Sequence, residues 1–273
     1  MQHFLSFDIE HGVQTFKERG VPFLNYPPKG EIEFLESLIN KLSQLNYSAT
    51  FFVLTSELHN YEKVLFKALE HGHEIASHGH EHIRLNKRSP NEFTNDIDKS
   101  RKILQDVFQV EVKGYRAPGF SLNYETKWAI ELIGKAGFTY SSSSNFDYKL
   151  KDSKPQILSK NISNLLENAN LTEFPSTSIS LFGRRQRVWG GFYSRVLPIE
   201  IQKPLIQHIK KIKGPLNLYL HPFEFDLQAP QTRDASFYLR FLRYHGIESM
   251  EEKLDEYLRL YSFKSFGSNF GTD

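Results

Sequence analysis

Short apolar runs alternate along this chain with segments whose apolar residues recur at helical spacing. The apolar and β-branched runs, typical of buried strands, fall at 4–7, 49–54, 73–77, 112–115, 138–141, 171–174 and 216–220. Helical spacing, with start and stop signals, predicts helices at 32–45, 57–70, 90–108, 124–136, 199–212 and 249–261. Strands that alternate with helices are typical of a parallel sheet, so the pattern predicts an α/β fold.

Two of the predicted helices begin with the signature of a capping box. Ser89 is followed by Pro90, which suits the first helical position, and by Glu92. Ser249 is followed in the same way by Glu252. In both cases we expect the serine side chain to accept a hydrogen bond from the backbone N–H of the glutamate and so to fix the start of the helix.

The segment 143–198 is less regular than the rest of the chain. It is rich in Ser and Asn, carries the basic cluster 184–187 (Arg-Arg-Gln-Arg), and favours long loops around the strand at 171–174. The chain shows no internal repeat or linker, and 273 residues is an ordinary size for one α/β barrel. We therefore predict a single domain, 1–273, with 143–198 as a loop-rich insertion and 249–261 as a C-terminal helix.

The composition excludes several kinds of site and partner. With 34 basic and 32 acidic residues the net charge is +2, which does not favour a nucleic-acid partner. The absence of cysteine excludes disulfides and thiolate metal ligands. No apolar run approaches the roughly 18 residues of a membrane-spanning helix, and the first residues favour a strand rather than a signal peptide. We therefore expect a cytoplasmic protein.

Candidate metal ligands follow two of the predicted strands. Asp8 and Glu10 stand at the end of the first strand, and His78 and His82 follow the third. Two imidazoles four residues apart lie on one face if the turn is helical, and with a carboxylate they make a site for a divalent ion. In that arrangement His80 faces away from the ion. The alternatives are a charged strand end and a histidine-rich surface loop.

Two further motifs suit catalysis at the same edge of the sheet. Arg116, in Gly-Tyr-Arg-Ala-Pro, can orient a carboxylate through a bidentate contact, and the Pro-Gly loop that follows can expose backbone N–H groups. His221 closes the apolar strand 216–220 and suits a proton donor. Taken alone, the first motif could be an ordinary turn and the second a histidine satisfied at a strand end.

The order and spacing of these motifs resemble those of polysaccharide deacetylases of the NodB-homology type, carbohydrate esterase family 4. The resemblance rests on Asp-x-Glu at 8–10, His-Glu-Ile-Ala-Ser-His-Gly-x-x-His at 73–82, Gly-Tyr-Arg-Ala-Pro at 114–118 and His-Pro-Phe-Glu-Phe-Asp at 221–226. The resemblance is strongest to the branch found in exopolysaccharide gene clusters, in which the first motif is Asp-x-Glu. It implies a distorted (β/α) barrel with about seven parallel strands.

The resemblance also implies a cofactor and a substrate class. Glu10, His78 and His82 match the family's metal ligands, and the expected ion is zinc, although this ligand set also suits cobalt, nickel, manganese or iron. The expected reaction is removal of the N-acetyl group from an N-acetylated sugar of a polysaccharide, oligosaccharide or lipid-linked glycan.

The remaining site residues take their roles from the same resemblance. Asp8 matches the catalytic base, Arg116 the residue that holds the base, and His221 the catalytic acid. The family's oxyanion donor is a backbone N–H just after the Arg-x-Pro segment, which makes Gly119 the candidate here, with Phe120 beside it at the substrate.

One position departs from the family pattern. Where the family has an aspartate that tunes the catalytic histidine, this chain has Ser141. A hydroxyl cannot supply the charge that favours a protonated imidazole. Either another acid substitutes, with Glu173 and Asp226 as candidates, or His221 is a weaker acid. The departure motivates an alternative function, a catalytically weakened glycan-binding protein; an amidase that acts on a non-sugar amide is a second alternative.

Loop aromatic and basic residues suggest where a glycan would lie. The aromatic residues expected at a groove are Phe120, Trp189, Phe192 and Tyr193. The arginines of 184–187 are expected to be a solvated loop, with contact to an anionic glycan or a lipid-linked diphosphate as the alternative.

Overall fold

The structure is a computed structural model that describes residues 2–23, 25–151, 154–181, 184–232 and 234–270. Positions 152, 153, 182 and 183 of the predicted insertion, the ends of the predicted domain, and the side chain of Arg184 lie outside what it describes.

Twelve strands are present in the described part of the chain. They are β1 (His3–Ile9), β2 (Thr50–Val53), β3 (Glu74–Ser77), β4 (Gly114–Tyr115), β5 (Tyr140–Ser141), β6 (Tyr148–Lys151), β7 (Lys154–Ile157), β8 (Thr172–Glu173), β9 (Ser178–Leu181), β10 (Arg184–Arg187), β11 (Asn217–Leu220) and β12 (Phe263–Lys264).

Ten α-helices accompany these strands in the same described ranges. They are α1 (Gln14–Lys17), α2 (Lys29–Gln44), α3 (Leu58–Glu70), α4 (Pro90–Phe108), α5 (Ala129–Lys135), α6 (Lys160–Asn168), α7 (Gly191–Val196), α8 (Ile199–Lys213), α9 (Phe237–Tyr244) and α10 (Met250–Leu260). None of these described helices combines the length and the apolar composition needed to cross a membrane.

Seven parallel strands form one curled sheet, in the order β11-β1-β2-β3-β4-β5-β8, and β12 also pairs with β1. The two end strands are connected through Thr177, whose hydroxyl bonds to both the backbone N–H and the carbonyl of Asn217 at 3.0 and 2.9 Å. The predicted distorted (β/α) barrel is confirmed. Both β8 and β11 lie in the second half of the chain, so the sheet is built from both halves.

The alternation of side chains along β1 places the chemistry inside the barrel. Leu5, Phe7 and Ile9 pack outward in the large core with the helices, whereas Phe4 belongs to a separate interior cluster. Because successive side chains of a strand point to opposite faces, Asp8 points to the same side as Phe4. The carboxylate therefore stands at the carboxyl end of the barrel interior, the end where α/β barrels carry their active sites.

The two expected capping boxes have different outcomes. Ser89 accepts from the backbone N–H of Glu92 and the glutamate side chain accepts from the backbone N–H of Ser89, as predicted. The prediction for Ser249 was wrong, because its side chain makes no cap. Ser249 ends a 3₁₀ turn that follows Gly246 and runs directly into α10, and its hydroxyl donates to the Gly246 carbonyl at 3.2 Å.

The segment 143–198 contains more regular structure than the sequence predicts. Two antiparallel hairpins, β6–β7 and β9–β10, lie on either side of α6 and β8. Their strands are short and largely polar, so they lack the apolar alternation by which a strand is recognised. The expectation of loops with a single strand was therefore wrong here.

Candidate active site

The carboxyl ends of β1, β3 and β11 deliver the predicted site residues to one cavity of about 280 Å³. The predicted residues that line it are Asp8, Glu10, His78, His82, Gly119, Phe120 and His221. Arg116, which follows β4, lies fully buried beneath them. A parallel sheet gathers the ends of its strands at one edge, which is why motifs distant in sequence meet here.

Arg116 fixes one side of the Asp8 carboxylate. Its Nη1 donates to Asp8 Oδ1 at 2.6 Å, its Nη2 donates to the Ser6 hydroxyl at 3.0 Å, and its Nε donates to the Ser142 carbonyl at 3.1 Å. The guanidinium also lies 3.9 Å from the centre of the Phe52 ring. Burial opposes ionisation of Asp8, but the charge of Arg116 outweighs it and holds the pKa of this carboxyl below its ordinary value.

Glu10, His78 and His82 form a compact group of potential ligands whose atoms all lie within 4.8 Å of one another. Glu10 Oε2 is 2.7 Å from His82 Nε2 and 3.9 Å from His78 Nε2. The 3.9 Å distance lies in the range of about 3–4 Å that separates two nitrogen or oxygen ligands of one zinc ion, each bonded at about 2.0–2.2 Å, whereas the 2.7 Å distance between Glu10 and His82 must lengthen for both to bind one ion. The buried Glu10 Oε2 also receives no well-aligned hydrogen bond from the described residues. The donor set therefore fits a divalent ion.

The two imidazoles meet in a loop and not on a helix, so it is not a helical turn that brings them to one side. Gly79 takes a left-handed backbone (φ +84°), and the Asp96 carboxylate accepts from the backbone N–H groups of His80 and Glu81 at 3.0 and 2.9 Å. These bonds fold the loop so that the rings of the two histidines lie 5.2 Å apart. The ring of His80 instead contacts Thr55 and Lys99, away from the group, as predicted.

The outer nitrogens of both histidines are occupied. His78 Nδ1 lies 2.8 Å from the Arg116 carbonyl, and His82 Nδ1 lies 2.6 Å from Glu18 Oε1. A metal-binding histidine commonly donates its second N–H to a carbonyl or carboxylate in this way, which leaves Nε2 for the ion. Sequence reasoning missed Glu18, because it follows α1, a helix of only four residues without a periodic apolar pattern.

The two histidines differ in their electrostatic surroundings. Burial lowers the pKa of His78, so its ring is neutral, the form that binds a metal. Burial also disfavours charge on His82, but the negative charges of Glu10 and Glu18 raise the pKa of this ring to about 10. The pocket around His82 is therefore built to hold positive charge at this position.

His221 faces the same group from β11. Its Nε2 lies 3.8 Å from Asp8 Oδ2 and 3.7 Å from Glu10 Oε1. Its Nδ1 and its backbone N–H both donate to Glu224 Oε2, at 3.2 and 3.0 Å. Burial disfavours a charged ring, but Glu224 and the two carboxylates across the cavity raise the pKa of His221 above its ordinary value.

The acid that contacts His221 is Glu224, so the suggestion that Glu173 or Asp226 replaces the family's aspartate was wrong. Glu173 accepts from the backbone N–H groups of Ser143 and Ser144, and Asp226 accepts from the backbone N–H of Gln228. Neither has a described contact with His221. The signal for Glu224 was present in His-Pro-Phe-Glu, because a 3₁₀ turn after the proline brings a side chain three residues on back to the histidine.

The loop after Arg116 lines the cavity with backbone as well as side chains. Gly119 and Phe120 both have left-handed backbones, with φ of +65° and +53°. The Phe120 ring packs edge-on against Tyr219, with ring centres 4.7 Å apart.

The groove aromatics suggested by the sequence separate into two groups. Phe120, Phe192 and Tyr193 line the cavity. The prediction for Trp189 was wrong, because its side chain is fully buried and packs edge-on against the His3 and Tyr261 rings.

Comparison with known proteins finds a different match for each half of the chain. Residues 27–140 match the family described as polysaccharide deacetylase, and residues 144–270 match a domain of unknown function, DUF3473. A peptidoglycan-N-acetylglucosamine deacetylase of Bacillus cereus is 31% identical over 109 residues, which is 40% of this chain. The first half of the chain, residues 27–140, is therefore similar to polysaccharide deacetylases. The chain covers only 40% of the length of that relative.

Solved structures share the fold of this chain. The crystal structure of a Mycobacterium smegmatis protein described as a candidate polysaccharide deacetylase superposes with a TM-score of 0.60 at 18% identity, over 96% of this chain and 86% of that one. A peptidoglycan N-acetylglucosamine deacetylase, crystallised with a hydroxamate-type benzamide, gives a TM-score of 0.51 at 14% identity, over 98% of this chain and 86% of that one. At these identities the likeness shows the fold alone.

Proposed function

We propose that this protein is a metal-dependent hydrolase that removes the N-acetyl group from an N-acetylated sugar of a polysaccharide, oligosaccharide or lipid-linked glycan. The observation that carries the proposal is the position of two proton-transfer groups beside one ligand set. Asp8 and His221 face each other across 3.8 Å, and each is within reach of the group formed by Glu10, His78 and His82. The match of residues 27–140 to polysaccharide deacetylases and the named activity of the Bacillus cereus relative support the same reaction.

Glu10, His78 and His82 would hold the ion, and zinc is the ion we propose. When bound, it supplies Lewis-acid chemistry, because it polarises the acetyl carbonyl and makes the attacking water more acidic.

Asp8 is the proposed base. Arg116 occupies its Oδ1, which leaves Oδ2, the oxygen nearer to His221, to take a proton from the attacking water. The water oxygen bonds to the acetyl carbon, and the backbone N–H of Gly119 is the proposed donor to the developing oxyanion.

His221 is the proposed acid. As the carbon–nitrogen bond breaks, its Nε2 gives a proton to the departing sugar amine, and Glu224 keeps Nδ1 protonated and the ring in place. The products are acetate and a free amino sugar.

The test is acetate release from N-acetylglucosamine oligosaccharides by protein loaded with zinc, cobalt or manganese, measured together with metal content. We expect acetate and a matching number of free amines, both lost in the His78→Ala/His82→Ala double variant. Wild-type protein that binds these glycans but releases no acetate with any of the ions would favour a glycan-binding protein. Hydrolysis of a non-sugar amide alone would favour the amidase alternative.

A further inference from the structure

A second recess of about 350 Å³ adjoins the active-site cavity and shares Gly119 and Phe120 with it. Apart from Gly119 and the aromatic residues Phe120 and Tyr193, its lining is cationic and polar: Arg84, Arg185, Arg187, Asn86, Asn123, Asn145 and Ser121. No described residue that lines it carries a carboxylate. The lining therefore presents a concentrated positive charge next to the place where the acetyl group would be cleaved.

Arg187 stands where the two cavities join, since it lines both. Its Nη1 donates to the Gly119 carbonyl at 3.2 Å, and its guanidinium lies 5.3 Å from the centre of the Phe120 ring. Its Nε is buried without a hydrogen-bond partner, and it pairs with no carboxylate in the part of the chain that the structure describes. Arg187 thus carries a charge that no described carboxylate compensates.

Arg185 is two residues earlier on β10, so its side chain leaves the strand on the same face. It pairs with Asp147 at 3.1 Å, but Lys213 shares that carboxylate at 2.9 Å, so two cations are balanced by one anion. Arg185 Nε is also buried without a hydrogen-bond partner among the described residues.

Arg84 closes the recess on the side of the metal-ligand group. Its only described carboxylate contact is Glu18 at 3.5 Å, and that carboxylate is in closer contact, at 2.6 Å, with His82. The arginine side chain remains 43% exposed and free to reach a ligand.

From these contacts we propose that the recess is a subsite for an anionic group of the glycan, a carboxylate or a phosphate, carried next to the sugar that loses its acetyl group. Guanidinium groups recognise planar carboxylates and phosphates through paired hydrogen bonds, and here three of them line one recess whose described lining carries no carboxylate. The inference rests on the proposed function and names the substrate class as an anionic glycan. Arg185 and Arg187, which the sequence analysis expects in a solvated loop, would thereby bind the anionic group of the glycan.

The test measures binding and turnover separately on three probes. They are neutral chitotetraose, a hyaluronan tetrasaccharide that carries carboxylates, and UDP-N-acetylglucosamine, which carries a diphosphate. Binding is measured by titration calorimetry at low and high salt, with the Asp8→Asn variant so that no probe is consumed. We expect at least one anionic probe to bind tenfold or more tightly than the neutral one, with a preference that falls as salt rises. Tight binding of the hyaluronan probe alone would identify a carboxylate, and of the UDP probe alone a phosphate.

The variants decide between a ligand-binding and a structural role for the arginines. Arg185→Gln, at a residue that lines the recess but not the active-site cavity, should lower the preference for the anionic probe and leave chitotetraose binding within about twofold, and Arg185→Gln/Arg187→Gln should remove the preference. Arg259→Gln, the same change on the exposed surface of α10, should leave the preference intact. Equal weakening of all three probes, or no anionic preference in the first place, would overturn the inference. Anionic preference without acetate release would instead leave the inference standing and contradict the proposed function.

Discussion

Glu224 holds His221 at two points, through hydrogen bonds from the backbone N–H at 3.0 Å and from Nδ1 at 3.2 Å. The other oxygen of the carboxylate accepts from Arg195 Nε at 2.8 Å. Arg195 is itself anchored by donation to the carbonyls of Leu242 and His245. The proton donor of the proposed reaction is thereby fixed to the second half of the chain, the half that matches a domain of unknown function.

We predict that Glu224→Gln lowers kcat/KM for acetate release by roughly 10-fold to 100-fold, because the amide no longer favours the protonated ring. The carboxylate raises the pKa of His221, so its loss lowers that pKa. Since His221 must be protonated to act, the alkaline limb of the kcat/KM profile should move to lower pH. The measurement is a pH–rate profile, with metal content determined in parallel.

Glu224→Asp is the control for that change, because it keeps the charge while altering the reach of the side chain. It should restore part of the rate and return the alkaline limb toward its wild-type position. A Glu224→Gln protein with an unmoved profile and a uniformly reduced rate would mean that the residue only supports the fold around Arg195.

Asp8→Asn should reduce acetate release by about 10²–10⁴-fold, the usual contribution of a proton-transfer group. The amide oxygen can still accept from Arg116 Nη1, so no cavity opens and the fold and metal content should be retained. Acetate assay with metal analysis checks both halves of the prediction. Undiminished turnover in this variant would rule out Asp8 as the base and point to Glu10 or to solvent.

The parallel strands explain why most of the site could be predicted. Asp8, His78, Arg116 and His221 end or directly follow strands, and strand patterns are visible as short apolar runs. A parallel sheet then brings those ends to one edge whatever the intervening loops do. The resemblance to the family supplied the individual roles that geometry alone leaves open.

The residues that escaped prediction belong to segments without periodicity. Glu18 follows a helix of four residues, and Glu224 sits in a 3₁₀ turn, so neither is marked by a 2- or 3.6-residue repeat. Trp189 was wrongly predicted to line a groove, because an aromatic residue between arginines and glycines is typical of a loop. Its ring is instead buried against β1 and the C-terminal segment. The contacts of Trp189 depend on long-range packing that local sequence does not encode, whereas the contact between Glu224 and His221 is local and follows from the turn in His-Pro-Phe-Glu.

Glu18→Gln should weaken metal binding by about 10–100-fold while leaving the three ligands in place. The carboxylate lies 2.6 Å from His82 Nδ1, where it orients the ring and strengthens it as a ligand. Competition with a zinc chelator, read by metal analysis, measures the change. Glu81→Gln, the same substitution at an exposed position of the histidine loop, should behave as wild type. Equal chelator resistance of Glu18→Gln and wild type would show that the contact does not support the ion.

The last prediction concerns stability and Glu31, which is fully buried on α2. Its Oε1 accepts from the backbone N–H of Gly12 at 3.1 Å, and its Oε2 accepts from the Tyr61 hydroxyl. Burial outweighs these hydrogen bonds and raises the pKa of Glu31 to about 7. His11, the nearest imidazole at 3.9 Å, has a pKa lowered to about 4 by burial and carries no compensating charge above that pH.

In the unfolded state Glu31 releases its proton at about pH 4.3, the ordinary pKa of a glutamate, whereas in the folded state it keeps the proton up to about pH 7. Below about pH 4.3 the residue is protonated in both states. The contribution of Glu31 to the free energy of unfolding is therefore full below its pKa in the unfolded state. It falls by about 3 kcal/mol as the pH rises to about 7, its pKa in the folded state. Glu31→Gln removes that loss, so it should stabilise the protein relative to wild type more at pH 8 than at pH 5. Urea unfolding at both pH values measures the difference, with Glu33→Gln, an exposed position of the same helix, as the control. An equal effect of Glu31→Gln at the two pH values would mean that Glu31 is already ionised in the folded protein at pH 5.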